Sequence, residues 1–213
     1  MAEIQLSELG QESALSKDLA WLELALSPRD PDERKHFVYV DEMNGKRIMI
    51  ATNRDRLHIC AKFGMCFPLG YIPRENMDWF EPDQPYFRYQ PALKSCNGTK
   101  FTFAAELLIK TLQRFVKEMG SGNKELIIRF DPNRATLSGN SVLKGYTNVQ
   151  IPCSTATRPE IMRIDAKYLL DAVTGSESRT ITMQQSVEPN GSVAVYPGGE
   201  RVAIIKLREV GFR

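Results

Sequence analysis

Metal-binding side chains are scarce in this chain. Of its 213 residues only two are histidines and four are cysteines. No two cysteines form a C-x-x-C pair, and a structural zinc site needs closely spaced ligands of that kind. The sequence therefore predicts no metal site and no bound cofactor.

Long apolar runs and an excess of one charge are also missing. No apolar segment approaches the length of a membrane span, and residues 1–5 do not resemble the start of a secretory signal. Together with free thiols, this favours a cytoplasmic protein without membrane contacts. Because the net charge is only +2, any surface that binds nucleic acid must be a local patch.

Recognisable catalytic motifs are lacking too. The segment Gly120-Ser121-Gly122-Asn123-Lys124 is rich in glycine, but it lacks the P-loop spacing and follows a helix, whereas a phosphate-binding loop precedes one. Cys153 and His58 could supply a nucleophile and a base, but no pattern brings them together. We therefore predict that the chain is not an enzyme and has no catalytic residues.

What the sequence does contain is one pattern of elements that occurs three times, which we call a module: a strand, a helix and three further strands. The third copy is the clearest. Residues 161–164 alternate as a strand, and Asp165 is a suitable N-cap for a helix over 166–173. Three short β-prone runs follow, at 180–185, 192–196 and 201–207.

The first two copies are less regular. The second has a strand at 101–103, a helix over about 104–119, and strands at 125–130, 135–138 and 148–151. The first has a strand at 4–6, a helix over 19–26, and strands at 36–40, 47–51 and 57–61. Asn44-Gly45 lies between two of these strands and is a strong hairpin signal.

Between the first and second copies lies a segment rich in proline and aromatic residues. It spans residues 63–100 and contains five prolines and eight aromatic side chains. Such a loop is either packed down or exposed for binding. We predict three parts: a first module over 1–62, this insertion over 63–100, and two modules in one compact domain over 101–213.

Three local matches make the chain resemble the sliding clamps of bacterial and phage replicative polymerases. Ile50-Ala51-Thr52-Asn53-Arg54-Asp55-Arg56-Leu57 resembles the family turn Ala-Thr-Asp-Gly-x-Arg-Leu, with Asn53-Arg54 in place of the acidic–glycine pair. The helix at 165–173 and the last strand at 201–208 are similar to those of the final clamp half-domain. The resemblance implies an α+β clamp-like fold of about one and a half clamp domains.

The number of modules bears on assembly. In the family a domain has two modules and a closed ring has twelve, whereas this chain offers three. Four copies would supply twelve modules, or the odd first module could pair with its twin in a two-fold dimer. We therefore expect a homo-oligomer.

One helix face is a candidate surface for binding DNA. Lys110, Arg114 and Lys117 are spaced four and three residues apart on the second-module helix, with Gln113 between them. The resemblance implies that such a stripe faces the phosphate backbone, which would give binding independent of sequence. The alternative is an ordinary solvated helix face.

The insertion offers a second candidate surface. Tyr86-Phe87-Arg88-Tyr89 interleaves aromatic rings with a cation, and Lys94 and Lys100 follow. Single-strand binders combine stacked rings with cations in this way. The alternative is that the rings fill a small core under the loop.

These observations favour a non-catalytic accessory protein that binds DNA, prefers single-stranded DNA, and supports a DNA or RNA polymerase in replication or transcription. The small size and divergent sequence favour a phage source, which would place the protein in the host cytoplasm. One alternative is a small oligomeric sliding clamp around duplex DNA. Another is a clamp-mimicking interaction module with an apolar groove along 173–185 and no affinity for DNA.

Overall fold

A computed structural model of the chain describes residues 14–27, 30, 33–61, 67–72, 86–121, 124–141, 145–155, 160–188 and 191–208. The helices are α1 (described over 14–23), a 3-10 helix (Glu33–His36), α2 (Gln90–Ser95), α3 (Ala105–Met119) and α4 (Ala166–Val173). The strands are β1 (Tyr39–Met43), β2 (Lys46–Thr52), β3 (Arg56–Cys60), β4 (Gly70–Tyr71), β5 (Lys100–Ala104), β6 (Glu125–Asp131), β7 (Arg134–Ser141), β8 (Gly145–Thr155), β9 (Glu160–Asp165), β10 (Thr180–Gln185), β11 (Ser192–Gly198) and β12 (Arg201–Lys206).

The chain forms two compact units, an N-terminal unit (Met1–Phe87) and a C-terminal unit (Arg88–Arg213). In the N-terminal unit, β4, β1, β2 and β3 are neighbours in that order, and adjacent strands run antiparallel. The hairpin predicted at Asn44-Gly45 is confirmed, with φ angles of 55° and 72° that match a two-residue turn. The strand predicted at residues 4–6 lies outside the described residues.

A helix and an aromatic cluster cover this small sheet. From α1, the buried Trp21 ring stacks on the His58 ring at 4.2 Å, and His58 Nδ1 donates to the Trp21 carbonyl at 2.9 Å. On β4, Tyr71 packs edge-on against Tyr39 at 5.0 Å. The pairing of β4 with β1 therefore brings part of the aromatic insertion into the packing of this unit.

The C-terminal unit contains two complete modules, β5-α3-β6-β7-β8 and β9-α4-β10-β11-β12. Its described strands form an antiparallel sheet in the order β12-β11-β10-β5-β8-β7-β6-β9. The first strand of each module pairs with the other module, since β5 lies beside β10 and β9 beside β6. The predicted α+β architecture of repeated modules is confirmed, and β7 and β8 extend beyond the predicted strands.

The C-terminal unit begins at Arg88, before β5. Residues 88–100, which the sequence assigned to the insertion, belong to this unit because they are bonded to β10 and the residues after it. Gly98 N–H donates to the Gln185 carbonyl at 2.8 Å, and Gln185 N–H donates to the Thr99 carbonyl at 3.0 Å. Val187 N–H likewise donates to the carbonyl of Ser95, the last residue of α2, at 3.2 Å.

The core of this unit lies between the sheet and the two longer helices. α3 packs against α4 and buries a stripe with helical spacing. The stripe consists of Leu108, Leu112, Phe115 and Met119. Beneath the helices, Phe101 of β5 stacks on Phe130 of β6 with ring centroids 3.7 Å apart, so the core joins strands that are not neighbours in the sheet.

Phe130→Ala should lower the free energy of unfolding of this unit by about 3–5 kcal/mol, because it leaves a cavity under Phe101. The matched control is Tyr146→Ala, since Tyr146 is an aromatic residue of the same unit with 61% of its surface exposed. The control should change the free energy by less than about 0.5 kcal/mol. Urea unfolding followed by circular dichroism measures both, and equal effects would contradict this description of the core.

Candidate nucleic-acid interface

The outward face of α3 carries the predicted basic stripe. Burial of the Leu108–Met119 stripe turns the opposite side of the helix to solvent. The structure places all four predicted residues on this exposed face: Lys110, Gln113, Arg114 and Lys117. We call these four residues the α3 basic face. Their role in binding DNA remains a prediction.

Two carboxylates on the same helix bind cations of the α3 basic face. Lys110 Nζ donates to Glu106 Oε1 at 2.6 Å, and Arg114 Nε donates to Glu118 Oε1 at 3.0 Å. The hydrogen bond and positive charge of Lys110 lower the pKa of the Glu106 carboxyl. The Lys110–Glu106 pair is exposed, and such pairs are weak and screened by salt, so a phosphate can compete for Lys110. The Glu118 side chain is only 14% exposed, so the pair that it forms with Arg114 is the more protected of the two. Each carboxylate lies four residues from its cation in the sequence, so both ion pairs could have been anticipated.

The neighbouring helix α4 uses its charges differently. Its Lys167 is bound to the buried carboxylate of Asp171 one turn further on. Asp165 caps the helix by accepting from Lys167 N–H at 2.8 Å and Tyr168 N–H at 3.2 Å, and its other oxygen accepts from Arg208 Nη2 at 2.9 Å. The N-cap predicted at Asp165 is confirmed. These charges hold the helix in place.

The remaining predicted cations are exposed but lie on other elements. Lys94 lies in the last turn of α2, Lys100 is the first residue of β5 opposite Gln184, and Arg88 opens the C-terminal unit. The structure thus gathers four of the predicted residues on one helix face and leaves these three cations elsewhere on the unit.

Burial corrects the stacking role predicted for two of the three aromatic residues. Tyr86 is only 8% exposed and its ring stacks on Tyr39, with centroids 4.6 Å apart and planes 9° apart. Tyr89 is only 4% exposed. A nucleic-acid base needs an open ring face, and these buried rings do not present one. Of the three, Phe87 is half-buried.

The surroundings of Phe87 were missed by sequence reasoning. The Arg34 guanidinium lies 4.5 Å from the centre of the Phe87 ring, and that of Arg54 lies 5.4 Å from it. Both distances are within the range of cation–π contacts. The three residues are far apart in sequence, so no local pattern could have indicated that they meet.

Burial also affects the cysteines. Desolvation raises the pKa of the Cys153 thiol to about 11 and raises that of Cys96 as well. A nucleophilic cysteine must be a thiolate, so neither thiol is activated at neutral pH. Among the described residues, no three His, Cys, Asp or Glu side chains are grouped to hold a metal ion.

The paired modules and the two helices packed on one sheet are the fold of the DNA polymerase III β sliding clamps, as the sequence resemblance predicted. The subunit beta of Pseudomonas aeruginosa superimposes with a TM-score of 0.79 at 11% identity, over 93% of this chain and 64% of that one. The Bartonella birtlesii sliding clamp bound to griselimycin gives 0.76 at 16% identity, over 93% and 65%. The Caulobacter crescentus clamp gives 0.73 at 18% identity, over 91% and 64%.

The likeness covers only part of the clamp chains. The chain spans about 64% of the length of the first of these clamp chains. No family model matches the sequence, and no curated protein matches it either. At such low identities the likeness shows the fold. Within the described residues, no helix is both long and apolar enough to cross a membrane.

Cys96 and Cys153 should resist an aromatic disulfide reagent at about pH 8 in the folded protein, since their raised pKa values keep both thiols protonated. Both should react on unfolding in guanidinium. The measurement uses a Cys66→Ser background, because Cys66 lies outside the described residues. The third described thiol, Cys60, is also buried. Rapid labelling of Cys153 without unfolding would contradict the buried, unactivated thiol.

Proposed function

We propose that this chain is a non-catalytic accessory protein that holds the phosphate backbone of DNA on the α3 basic face and supports a polymerase. The observation that carries the proposal is the exposure of Lys110, Gln113, Arg114 and Lys117 along one side of a helix in a clamp fold. The similar structures are described as a subunit and a sliding clamp of a DNA polymerase, which supports a polymerase as the partner.

Phosphate contacts suit such a face. Lysine and arginine release counterions when they neutralise phosphates, and each contact adds about one to the slope of affinity against salt on a logarithmic scale. Gln113 can donate a hydrogen bond to a phosphate oxygen without regard to base identity. The α3 basic face would therefore bind DNA without sequence preference.

Absence of enzymatic activity is part of the proposal. The relatives in fold are named as subunits and clamps of a polymerase, and a clamp-like fold is compatible with a protein that is not an enzyme. The raised pKa of Cys153 argues against a thiol nucleophile at that position. The DNA would then be held by the protein and processed by its partner.

We favour single-stranded DNA as the target. A flexible strand can follow the α3 basic face without a closed ring around it. Burial removes Tyr86 and Tyr89 as supports for this preference, and the half-buried Phe87 is the predicted stacking ring that remains. A phage source and a role in transcription stay predictions.

A small oligomeric clamp around duplex DNA is the second candidate. It is favoured by the C-terminal unit, which contains two complete modules in a chain that superimposes on sliding clamps. It requires a homo-oligomer that closes a ring. Light scattering combined with size exclusion measures the number of copies, and a ring would bind circular duplex far better than short linear duplex.

The clamp-mimicking interaction module has less support. An apolar groove along 173–185 needs exposed apolar side chains, yet Val173, Ile181 and Met183 are fully buried. The exposed residues of this segment include Thr174, Glu177 and Arg179, which are polar or charged.

Lys110→Ala combined with Arg114→Ala should weaken binding to a labelled single strand of about 30 nucleotides, and should lower the salt slope by about 1.4, at about 0.7 per lost phosphate contact. Fluorescence anisotropy over about 50 to 200 mM salt measures both quantities. The matched control is Arg129→Ala with Lys206→Ala, which removes one arginine and one lysine exposed on the same unit. Equal losses in both variants would point to net charge alone, and no binding by the parent protein would overturn the proposal.

Glu106→Gln should do the opposite and tighten binding, because it removes the carboxylate that Lys110 now contacts at 2.6 Å. A gain of about threefold is expected, the size of one weak exposed ion pair. Glu188→Gln is the control, since it makes the same charge change at another exposed position of the unit. An unchanged affinity in Glu106→Gln would mean that Lys110 does not contact the DNA.

A further inference from the structure

The strand β8 extends past the end of its neighbour β5. β5 pairs with residues 153–155 of β8 and ends at Ala104, where α3 begins. On its other side β8 pairs with β7 without interruption from Pro152 to Gly145. Residues 145–151, which we call the β8 edge, therefore have β7 on one side, and no strand of the described part of the chain lies on the other.

Backbone groups of the β8 edge point to this open side. Cys153 N–H donates toward β7, to the carbonyl of Asn133 in the turn before that strand, at 3.2 Å. Successive residues of a strand direct their backbone groups to alternate sides, and the pairing with β7 shows no register shift. The N–H and C=O groups of Tyr146, Asn148 and Gln150 consequently point away from β7. The side chains of these three residues are exposed.

The β8 edge lacks the features that usually protect an exposed strand from pairing. Such features are a lysine or other charge, a proline, or a bulge. The edge has the sequence Gly-Tyr-Thr-Asn-Val-Gln-Ile, with no charged residue and no proline, and it contains no bulge. Val149 is partly exposed, although its neighbour on β7, Leu137, is fully buried. A further strand would satisfy the backbone and cover Val149, so the edge is suited to strand addition.

Two copies of the β8 edge complement each other when they run antiparallel and are centred on Asn148. Tyr146 then lies opposite Gln150 of the second copy, and Asn148 lies opposite its own twin. These are the residues whose backbone groups point to the open side, so each pair can exchange two hydrogen bonds. The two Asn148 amides offer donors and acceptors to each other, and no like charges meet across the axis. A two-fold interface requires such a patch, which is complementary to itself.

We propose that the β8 edge is a contact between two copies of this chain, in which the two strands pair antiparallel about a two-fold axis at Asn148. The contact lies in the C-terminal unit, so it differs from the pairing of first modules that the sequence left open. It goes beyond the proposed function, because no residue of the β8 edge belongs to the α3 basic face.

Asn148→Lys tests the contact directly, because it places two like charges opposite each other at the axis. Sedimentation velocity of the full chain at micromolar concentrations measures the dissociation constant of the dimer, which should rise about tenfold or more. The matched control is Asn140→Lys, which makes the same charge change at an exposed residue of β7, one strand further from the axis. The control should leave the dissociation constant within about twofold of the parent value.

Charge complementation provides a second readout. Asn148→Asp alone should weaken the dimer as Asn148→Lys does, whereas an equal mixture of the two variants should form a mixed dimer, because a lysine and an aspartate then face each other. A contact in which position 148 meets its own twin predicts this rescue. Circular dichroism of each variant verifies that it is folded.

The proposal is overturned if the parent protein stays monomeric at every concentration, which would leave the β8 edge to another occupant such as an extended peptide of a protein partner. An assembly that Asn148→Lys leaves unchanged, or that Asn140→Lys weakens equally, would place the contact elsewhere. A mixture of the lysine and aspartate variants that fails to dimerise would exclude the pairing at Asn148. DNA binding by the α3 basic face is measured separately, so either proposal can fail alone.

Discussion

The exchange of first strands between the two modules is the constraint on which the C-terminal unit depends. β5 pairs with β10 of the other module, and β9 pairs with β6. Because β5 also pairs with β8 of its own module, it joins the two sets of three strands into one sheet. The exchange also sets α3 beside α4 over a shared core. The inward stripe of α3 is thereby fixed, and its charged side is necessarily turned to solvent.

Charges in the C-terminal unit fall into two groups with different physical roles. Arg208 binds Asp165, the N-cap residue of α4, and Lys167 binds the buried Asp171. These two cations therefore stabilise the packing of the unit. Lys110 and Arg114 bind carboxylates of their own helix, and both cations are exposed. A phosphate can displace the exposed Glu106 from Lys110 at little cost. The proposed contact with a polyanion therefore uses the second group, although the net charge of the whole chain is small.

Sequence reasoning succeeded where a feature depends on neighbours along the chain. The helix α3, the Asn44-Gly45 hairpin and the cap at Asp165 each follow from spacing or turn chemistry within a few residues. It left two roles open for Tyr86, because an aromatic residue in a loop suits a small core as well as a binding surface. The ring that stacks on it belongs to Tyr39 of β1, which is far away in the sequence, so no local pattern indicates this contact.

Left-handed residues show which turns the local sequence favours and which it does not. Asn44 and Asn133 have positive φ, and asparagine tolerates this conformation well because its side chain bonds locally. Arg54 and Glu200 also have positive φ, and for such residues the conformation costs about 1 kcal/mol relative to glycine. At Arg54 the turn is held by hydrogen bonds such as that from Arg54 N–H to Thr52 Oγ1, and the guanidinium lies 5.4 Å from the centre of the Phe87 ring. Contacts of this kind keep a strained residue in place, so the preference of the local sequence does not by itself predict such a turn.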